Sequence, residues 1–284
     1  MHIEQIYTGC LAQGAYFIAS GKEALVIDPL RDTEAYLEKA REMGVEIKYV
    51  LETHFHADFV SGHLDLARKT GAKVVFGPLA QPLYEVHQAK DGERLPLGNI
   101  SIEVLHTPGH TMESTCYLLR DEKDEAKALF TGDTLFINDV GRPDLAVKGD
   151  LSEEDLAGHL YESIHNKILP LPDSLLVYPG HGAGSACGKN LGKETFDTLG
   201  HQKEVNYALN PTLSREDFIK EVTTGLMPPP AYFPENVRLN KQGYDSLEGI
   251  KDRGTTALSP EAFENLAEQH HALVLDTRSP EAFT

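Results

Sequence analysis

Apolar and polar positions along the chain change period several times, and the changes mark alternating strands and helices. The runs Ala15–Ala19 and Ala24–Pro29 are short and β-rich, and the turn-like Ser20-Gly21-Lys22 between them predicts a hairpin. The spacing then predicts a helix over Thr33–Met43, with Asp32 or Thr33 as cap and Gly44 as stop. IKYVLET (47–53) reads as a buried strand, HLDLARKTG (63–71) as a helix ending at Gly71, and KVVFG (73–77) as the next strand. The second half repeats the style. A strand enters a turn at 100–110, strands follow at 114–119 and 127–133, Ser152 caps a helix to about Lys167, and 174–181 is another strand. The acidic run RDEKDEAK (120–127) reads as a solvated connection. Interleaved strands and helices of this kind predict a layered α/β fold, with functional loops where strands end.

The pattern breaks in LMPPPAYFPENVRLNKQGYD (226–245), where three consecutive prolines stiffen the chain. The expected organisation is a catalytic domain over 1–230, a Pro-rich linker over 231–254, and the incomplete beginning of a further domain over 255–284. In that last stretch Ser259 and Pro260 open a helix, and ALVLD (272–276) reads as a strand.

Composition narrows the function classes. The 284 residues carry a formal net charge of -18, which argues against nucleic acid and anionic membranes as partners. No run approaches the roughly 18 apolar residues of a membrane span. The N-terminus shows no basic-then-apolar leader pattern, and Cys10, Cys116 and Cys187 are too few and too scattered for a disulfide framework. A cytoplasmic, reducing setting is expected. Whether the chain forms a homo-oligomer stays open.

The 13 histidines change the picture more. Four segments each end a strand with a candidate ligand: THFHAD (53–58), HTPGHT (106–111), FTGDT (130–134) and YPGHG (178–182). Imidazole and carboxylate suit first-row metals. Gly109, Gly132 and Gly180 allow tight turns and close backbone approach.

In order and spacing, THFHAD, TPGHT, TGDTLF and YPGH resemble the ligand motifs of the metallo-β-lactamase superfamily over roughly residues 1–230. The resemblance implies an αββα sandwich with a metal site at one edge of the paired sheets. In its dinuclear zinc members, such as glyoxalase II, the first motif ends in a further histidine. Carried over, His54, His56 and His110 would hold one ion, Asp58, position 59 and His181 the other, with Asp133 between. Position 59 is Phe59, which cannot ligate, so a mononuclear site is expected. The mononuclear branch it resembles is the persulfide dioxygenases, which implies one Fe(II) on His54, His110 and Asp133. His56, Asp58, His181 and Tyr178 then become supporting catalytic groups. GDTLFINDVGRPD (132–144) resembles a run of the same branch. It implies that Arg142 holds an anionic substrate, the alternative being an ion pair with Asp144. Cys187, in the Gly-rich loop after His181, is a candidate substrate contact or sulfur acceptor. The implied substrates are a low-molecular-weight thiol persulfide and O₂. The long segment 182–209 leaves the carrier thiol open between glutathione, coenzyme A and bacillithiol. Residues 255–284 resemble the start of a rhodanese, implying a sulfur-handling domain in cis in a longer chain. The rival activity is a zinc thioester hydrolase like glyoxalase II.

Overall fold

The computed structural model describes residues 1–146, 151–276, 278, 279 and 282. It divides into two compact units, Met1–Tyr244 and Asp245–Thr284.

In the first unit, strands β1 (His2–Thr8), β2 (Gln13–Ser20), β3 (Glu23–Ile27), β4 (Glu46–Glu52), β5 (Lys73–Phe76) and β6 (His87–Gln88) form one sheet in chain order. The expected hairpin is β2–β3, with Ala19 opposite Ala24 and Gly21 at a left-handed φ of 63°. From β3 onward the pairing is parallel. Helices α1 (Glu34–Met43) and α2 (His63–Thr70) supply the crossovers, each stopped by a left-handed glycine, Gly44 and Gly71.

The second sheet holds β7 (Arg94–Leu97), β8 (Ile100–His106), β9 (Thr115–Arg120) and β10 (Ala126–Gly132). A small hairpin, β11 (Leu135–Phe136) and β12 (Asp139–Val140), stands apart from both large sheets. Then β13 (Leu176–Pro179) and β14 (Asp197–Thr198) complete the order β14-β13-β10-β9-β8-β7. Before them lies α3 (Glu153–Ser163), opened by a capping box between Ser152 and Asp155 and continued by a π-turn over Ile164–Ile168. After them come α4 (Leu199–Val205), α5 (Arg215–Thr223) and α6 (Phe233–Gln242).

The core explains the layering. Alternate residues of both sheets meet in one cluster, with Tyr16, Leu25 and Leu51 from the first sheet against Ile102, Tyr117 and Phe130 from the second. The opposite faces are covered by helices: Tyr36, Ala40 and Leu66 of α1 and α2 on one side, Leu160 and Phe218 of α3 and α5 on the other. Each such side chain contributes about 1.5–3 kcal/mol by leaving water. The result is the expected αββα sandwich. Strands β3 and β4 are parallel, as are β10 and β13. Their carboxyl ends therefore deliver the histidine and aspartate loops to a common edge.

The expected linker departs from the observed arrangement. Residues 233–242 form α6, which buries Phe233 and Asn240 in the first unit, so the division falls after Tyr244. The second unit contains α7 (Leu247–Gly254) and α8 (Pro260–Gln269). The latter starts at the expected Ser259 cap, whose hydroxyl accepts from the Ala262 amide. The expected strand at 272–276 is not formed, and Leu273 and Leu275 are exposed. A strand is held by a neighbour's ladder of hydrogen bonds, and no strand is present among the described residues after Tyr244. Thr277, Glu281 and Phe283 of the rhodanese-like run lie outside the described residues.

Candidate metal centre

The loop after β4 turns His54 inward because its second nitrogen is anchored. His54 Nδ1 lies 3.0 Å from Thr53 Oγ1, and that hydroxyl donates to Asp28 Oδ2 at 2.8 Å. The hydroxyl proton is thus committed, so it accepts from Nδ1–H and leaves the Nε2 lone pair free. His110, at the turn after β8, is set the same way: Nδ1 donates to the Arg142 carbonyl at 2.8 Å. Asp133 follows β10. Its Oδ1 is taken by His181 Nδ1 at 2.8 Å. Its Oδ2 is buried without a hydrogen-bond partner, 3.6 Å from His110 Nε2 and 3.9 Å from His54 Nε2.

Two imidazole lone pairs and an orphaned carboxylate oxygen therefore converge in a dry site. Ligand atoms on one ion at about 2.1 Å stand about 3–3.5 Å apart, so the three need only a small contraction to hold a metal. Their chemistry suits iron or zinc. Burial, with the positive His56 alongside, pushes His54 well below the usual histidine range. Burial alone would raise Asp133, but His181 and the other histidines hold it well below the carboxylate range. Both groups are thereby kept in the deprotonated form a ligand needs.

Glycines are required at two contacts. A Cβ on Gly141 would stand 1.9 Å from the Asp133 carbonyl, and one on Gly180 would stand 2.7 Å from Asp133 Oδ1.

His56 is turned away from these three. Its Nε2 lies 3.0 Å from Asp28 Oδ1 and 3.5 Å from Glu52 Oε2. Burial lowers its affinity for a proton, but the two carboxylates outweigh this and lift its pKa to about 9. Phe59 covers it, with ring centroids 4.4 Å apart. Asp58 faces His181, Oδ2 to Nε2 at 2.8 Å. Caught between two carboxylates, His181 is raised well above the usual range despite its burial.

Two of the expected site residues have other partners. Arg142 is almost fully buried, and its guanidinium binds Asp144 through Nε and Nη2 at 2.6 Å each, with the Ala186 and Met227 carbonyls as further acceptors. Its side chain staples loops together, and its backbone orients His110. Tyr178 packs against Tyr16, Phe130 and Phe196, and among the described residues its hydroxyl has no hydrogen bond to a site group. Both side chains are drawn off by stronger local partners, a carboxylate and an aromatic cluster. Cys187 is buried within 4.8 Å of donor atoms of Asp58 and His181.

Asn240 of α6 has no signal in the local sequence. Its Nδ2 donates to the His56 and Phe59 carbonyls at 2.8 Å each, and its Oδ1 accepts from the Ser61 amide at 2.9 Å. Asp28 and Glu52, which anchor the loop, were also not singled out. A cleft of about 180 Å³ opens beside His110, lined by Phe55, Met112, Val237 and Lys241 among others. A larger cleft of about 850 Å³ lies at the opposite end of β4, beside Arg41 and Tyr49, away from the ligands.

Four layers with histidines and aspartates gathered at one sheet edge define a metal-dependent enzyme class. Residues 8–181 match the family model of the metallo-beta-lactamase superfamily, and the chain belongs to that superfamily. It is 31% identical over 229 residues to the human (Homo sapiens) mitochondrial persulfide dioxygenase ETHE1, covering 78% of this chain and 81% of that protein. It is 37% identical over 190 residues to a hydroxyacylglutathione hydrolase of Polaromonas sp., covering 64% and 66%. A metallo-beta-lactamase structure from Staphylococcus aureus matches with a TM-score of 0.80 at 36% identity, covering 86% of this chain and 73% of that one. ETHE1 from Myxococcus xanthus matches with a TM-score of 0.71 at 28% identity, covering 85% and 98%.

Proposed function

We propose that the protein is a non-haem iron persulfide dioxygenase, converting a low-molecular-weight thiol persulfide and O₂ to sulfite and the thiol. The observation that carries this reading is the donor set. His54, His110 and Asp133 turn ligand atoms to a common point, while His56 faces Asp28 and a benzyl ring stands at position 59. The likeness to ETHE1 proteins, by sequence and by structure, supports it. His54, His110 and Asp133 would hold Fe(II), which would supply redox chemistry towards O₂ there.

The chain's own residues do the rest. Thr53 and the Arg142 carbonyl fix both imidazoles in the tautomer that exposes Nε2. His181, protonated between Asp133 and Asp58, keeps Asp133 Oδ2 aimed at the ion. Asp58 has slight solvent access and passes protons between water and His181 Nε2. The cleft beside His110 suits a small apolar carrier, with Lys241 to meet an anionic tail. One persulfide, one O₂ and one water give one thiol and one sulfite with two protons. The rhodanese resemblance of 255–284 rests on sequence alone and agrees with a sulfur-handling role.

The second reading is a zinc thioester hydrolase, favoured by the identity to the Polaromonas enzyme. Anaerobically purified protein is assayed for metal, then for O₂ uptake on adding a thiol persulfide. One iron per chain, O₂ consumption and sulfite release are expected, with all three lost in Asp133→Asn. Hydrolysis of S-lactoylglutathione without O₂ uptake would instead establish the hydrolase.

A further inference from the structure

The cleft beside His110 carries both signs of charge. Its walls are mainly apolar, with Phe55 from the histidine loop, Met112 from the turn before β9 and Val237 from α6. Two charged side chains also line it, Glu113 and Lys241, both half-buried. Among the described residues neither is held in an ion pair. Glu113 gives one oxygen to the histidine loop, where Oε1 accepts from the Phe55 amide at 3.3 Å. The Lys241 carbonyl accepts from the Leu83 amide at 2.8 Å, which ties the end of α6 to the loop after β5. Leu79 of that loop stands at the cleft in the left-handed region, at φ 65°, with its side chain 54% exposed. A leucine held there is strained, and such strain gathers at ligand clamps. A cation and an anion without ion-pair partners, on an otherwise apolar wall, suit a ligand that brings the two opposite charges.

We propose that this cleft selects a small zwitterionic persulfide, that of an α-amino acid of cysteine's size, with Lys241 binding its carboxylate and Glu113 its ammonium group. The inference deepens the dioxygenase reading and rests on it for the sulfur chemistry. Size and charge carry it together. The cleft measures about 180 Å³, below the roughly 300–1,000 Å³ of sites that enclose drug-sized ligands. Glutathione, coenzyme A and bacillithiol are too large to seat within it. A thiol with an acid tail alone would satisfy Lys241 and set its own charge against Glu113. A thiol with an amine alone would do the reverse. A molecule carrying both groups satisfies both walls, so the cleft discriminates by repulsion as well as by attraction. His110 lines the same cleft. An amino acid held by its two charged groups has its sulfur-bearing side chain left to extend toward the metal ligands.

Two measurements on the full chain carrying its own metal test this. The first is O₂ uptake with the persulfides of cysteine, 3-mercaptopropionate, cysteamine and glutathione. The highest kcat/KM is expected for cysteine persulfide. A hydrogen bond to a charged group is worth about 10–100-fold in affinity, so removing either charge from the substrate should cost about that factor. Lys241→Met should raise KM for cysteine persulfide similarly, with kcat little changed, and should shift cysteamine persulfide, which has no carboxylate, far less. Glu113→Gln keeps an acceptor for the Phe55 amide. It should raise KM for cysteine persulfide and leave 3-mercaptopropionate persulfide, which has no ammonium group, no worse. A merely structural role for either residue would shift all substrates alike. The second measurement is calorimetric binding of S-methylcysteine, which has both charges and no free thiol to reach a metal. It is expected to bind, more weakly in both variants, and S-methylglutathione is expected not to bind. No O₂ uptake with any persulfide, alongside that binding pattern, would sink the dioxygenase and leave the assignment of the cleft standing. Glutathione persulfide outperforming cysteine persulfide overturns the proposal. So do variants that shift all substrates equally, or S-methylcysteine that fails to bind.

Discussion

At the scale of single residues, the site depends on which nitrogen of each histidine is spoken for. His54 and His110 spend Nδ1 on neighbours and keep Nε2 for an ion. His56, two residues from His54 on the same loop, instead offers Nε2 to Asp28 and Glu52. It is therefore a positioning residue rather than a ligand. His56→Ala leaves two buried carboxylates without their counter-charge, and breaking a buried pair of this kind costs about 3–5 kcal/mol. The expected outcome is a large drop in the denaturant midpoint, with metal content per folded chain nearly unchanged. Metal lost in proportion, from protein that still folds, would show that His56 is a ligand. Phe59→His is the complementary change. It restores the imidazole that the dinuclear zinc members carry at this position, so a second zinc ion should bind more tightly, read as metal equivalents retained after dialysis. No gain would mean that loop geometry, not the missing side chain, limits the second ion.

At the scale of elements, α6 buttresses the histidine loop from the far end of the sequence. One amide, Asn240, satisfies three backbone groups of that loop across about 180 residues of chain. Each buried group left unpaired costs about 1–3 kcal/mol, so Asn240→Ala should cost about 3 kcal/mol or more. It should also loosen the loop, read as faster amide exchange at Ser61 and weaker metal retention. Unchanged exchange there would sink this role for α6. The same residue shows why the sequence was legible only in part. The hairpin, the stops of α1 and α2, the cap of α3 and the ligand motifs are local signals, written within a few residues by Gly, Ser, Asp and the apolar period. Asn240, Asp28 and Glu52 act through contacts that no local pattern announces. The aromatic partners of Tyr178 and the carbonyl partners of Arg142 were hidden for the same reason. The two residue types suggested chemistry, but Asp144 and the aromatic cluster around Phe130 claimed them. Residues 231–244 read as linker because Pro228–Pro230 mark a break in the chain, yet Phe233 and Asn240 carry the helix beyond it back into the fold.

At the scale of the whole molecule, the first unit stores an acid sensitivity away from the metal ligands. His63 is fully buried at the start of α2. Its Nε2 lies 2.7 Å from the Tyr84 hydroxyl, which itself donates to the Asn240 carbonyl at 2.6 Å, so Nε2–H is the donor. The neutral ring thus ties α2 to α6. Burial, and then the positive charges of His56, Arg31 and Arg68, push its pKa from 6.5 to about 3. Glu52 lies 3.5 Å from Nδ1, and the Tyr244 ring packs against it. The sign follows from proton counts. Below pH 6.5 the unfolded chain protonates this histidine and the folded chain does not, so stability falls as pH falls until about pH 3. At about 1.4 kcal/mol per pH unit, the loss from this group between pH 6.5 and 5 is about 2 kcal/mol. Denaturant unfolding of the wild type and of His63→Phe, at pH 7 and at pH 5, isolates the effect. The variant is expected to be less stable at pH 7, having lost the Tyr84 bond, and to lose about 2 kcal/mol less than the wild type on acidification. Equal losses in the two proteins would place the acid sensitivity in other groups and leave His63 with a packing role only.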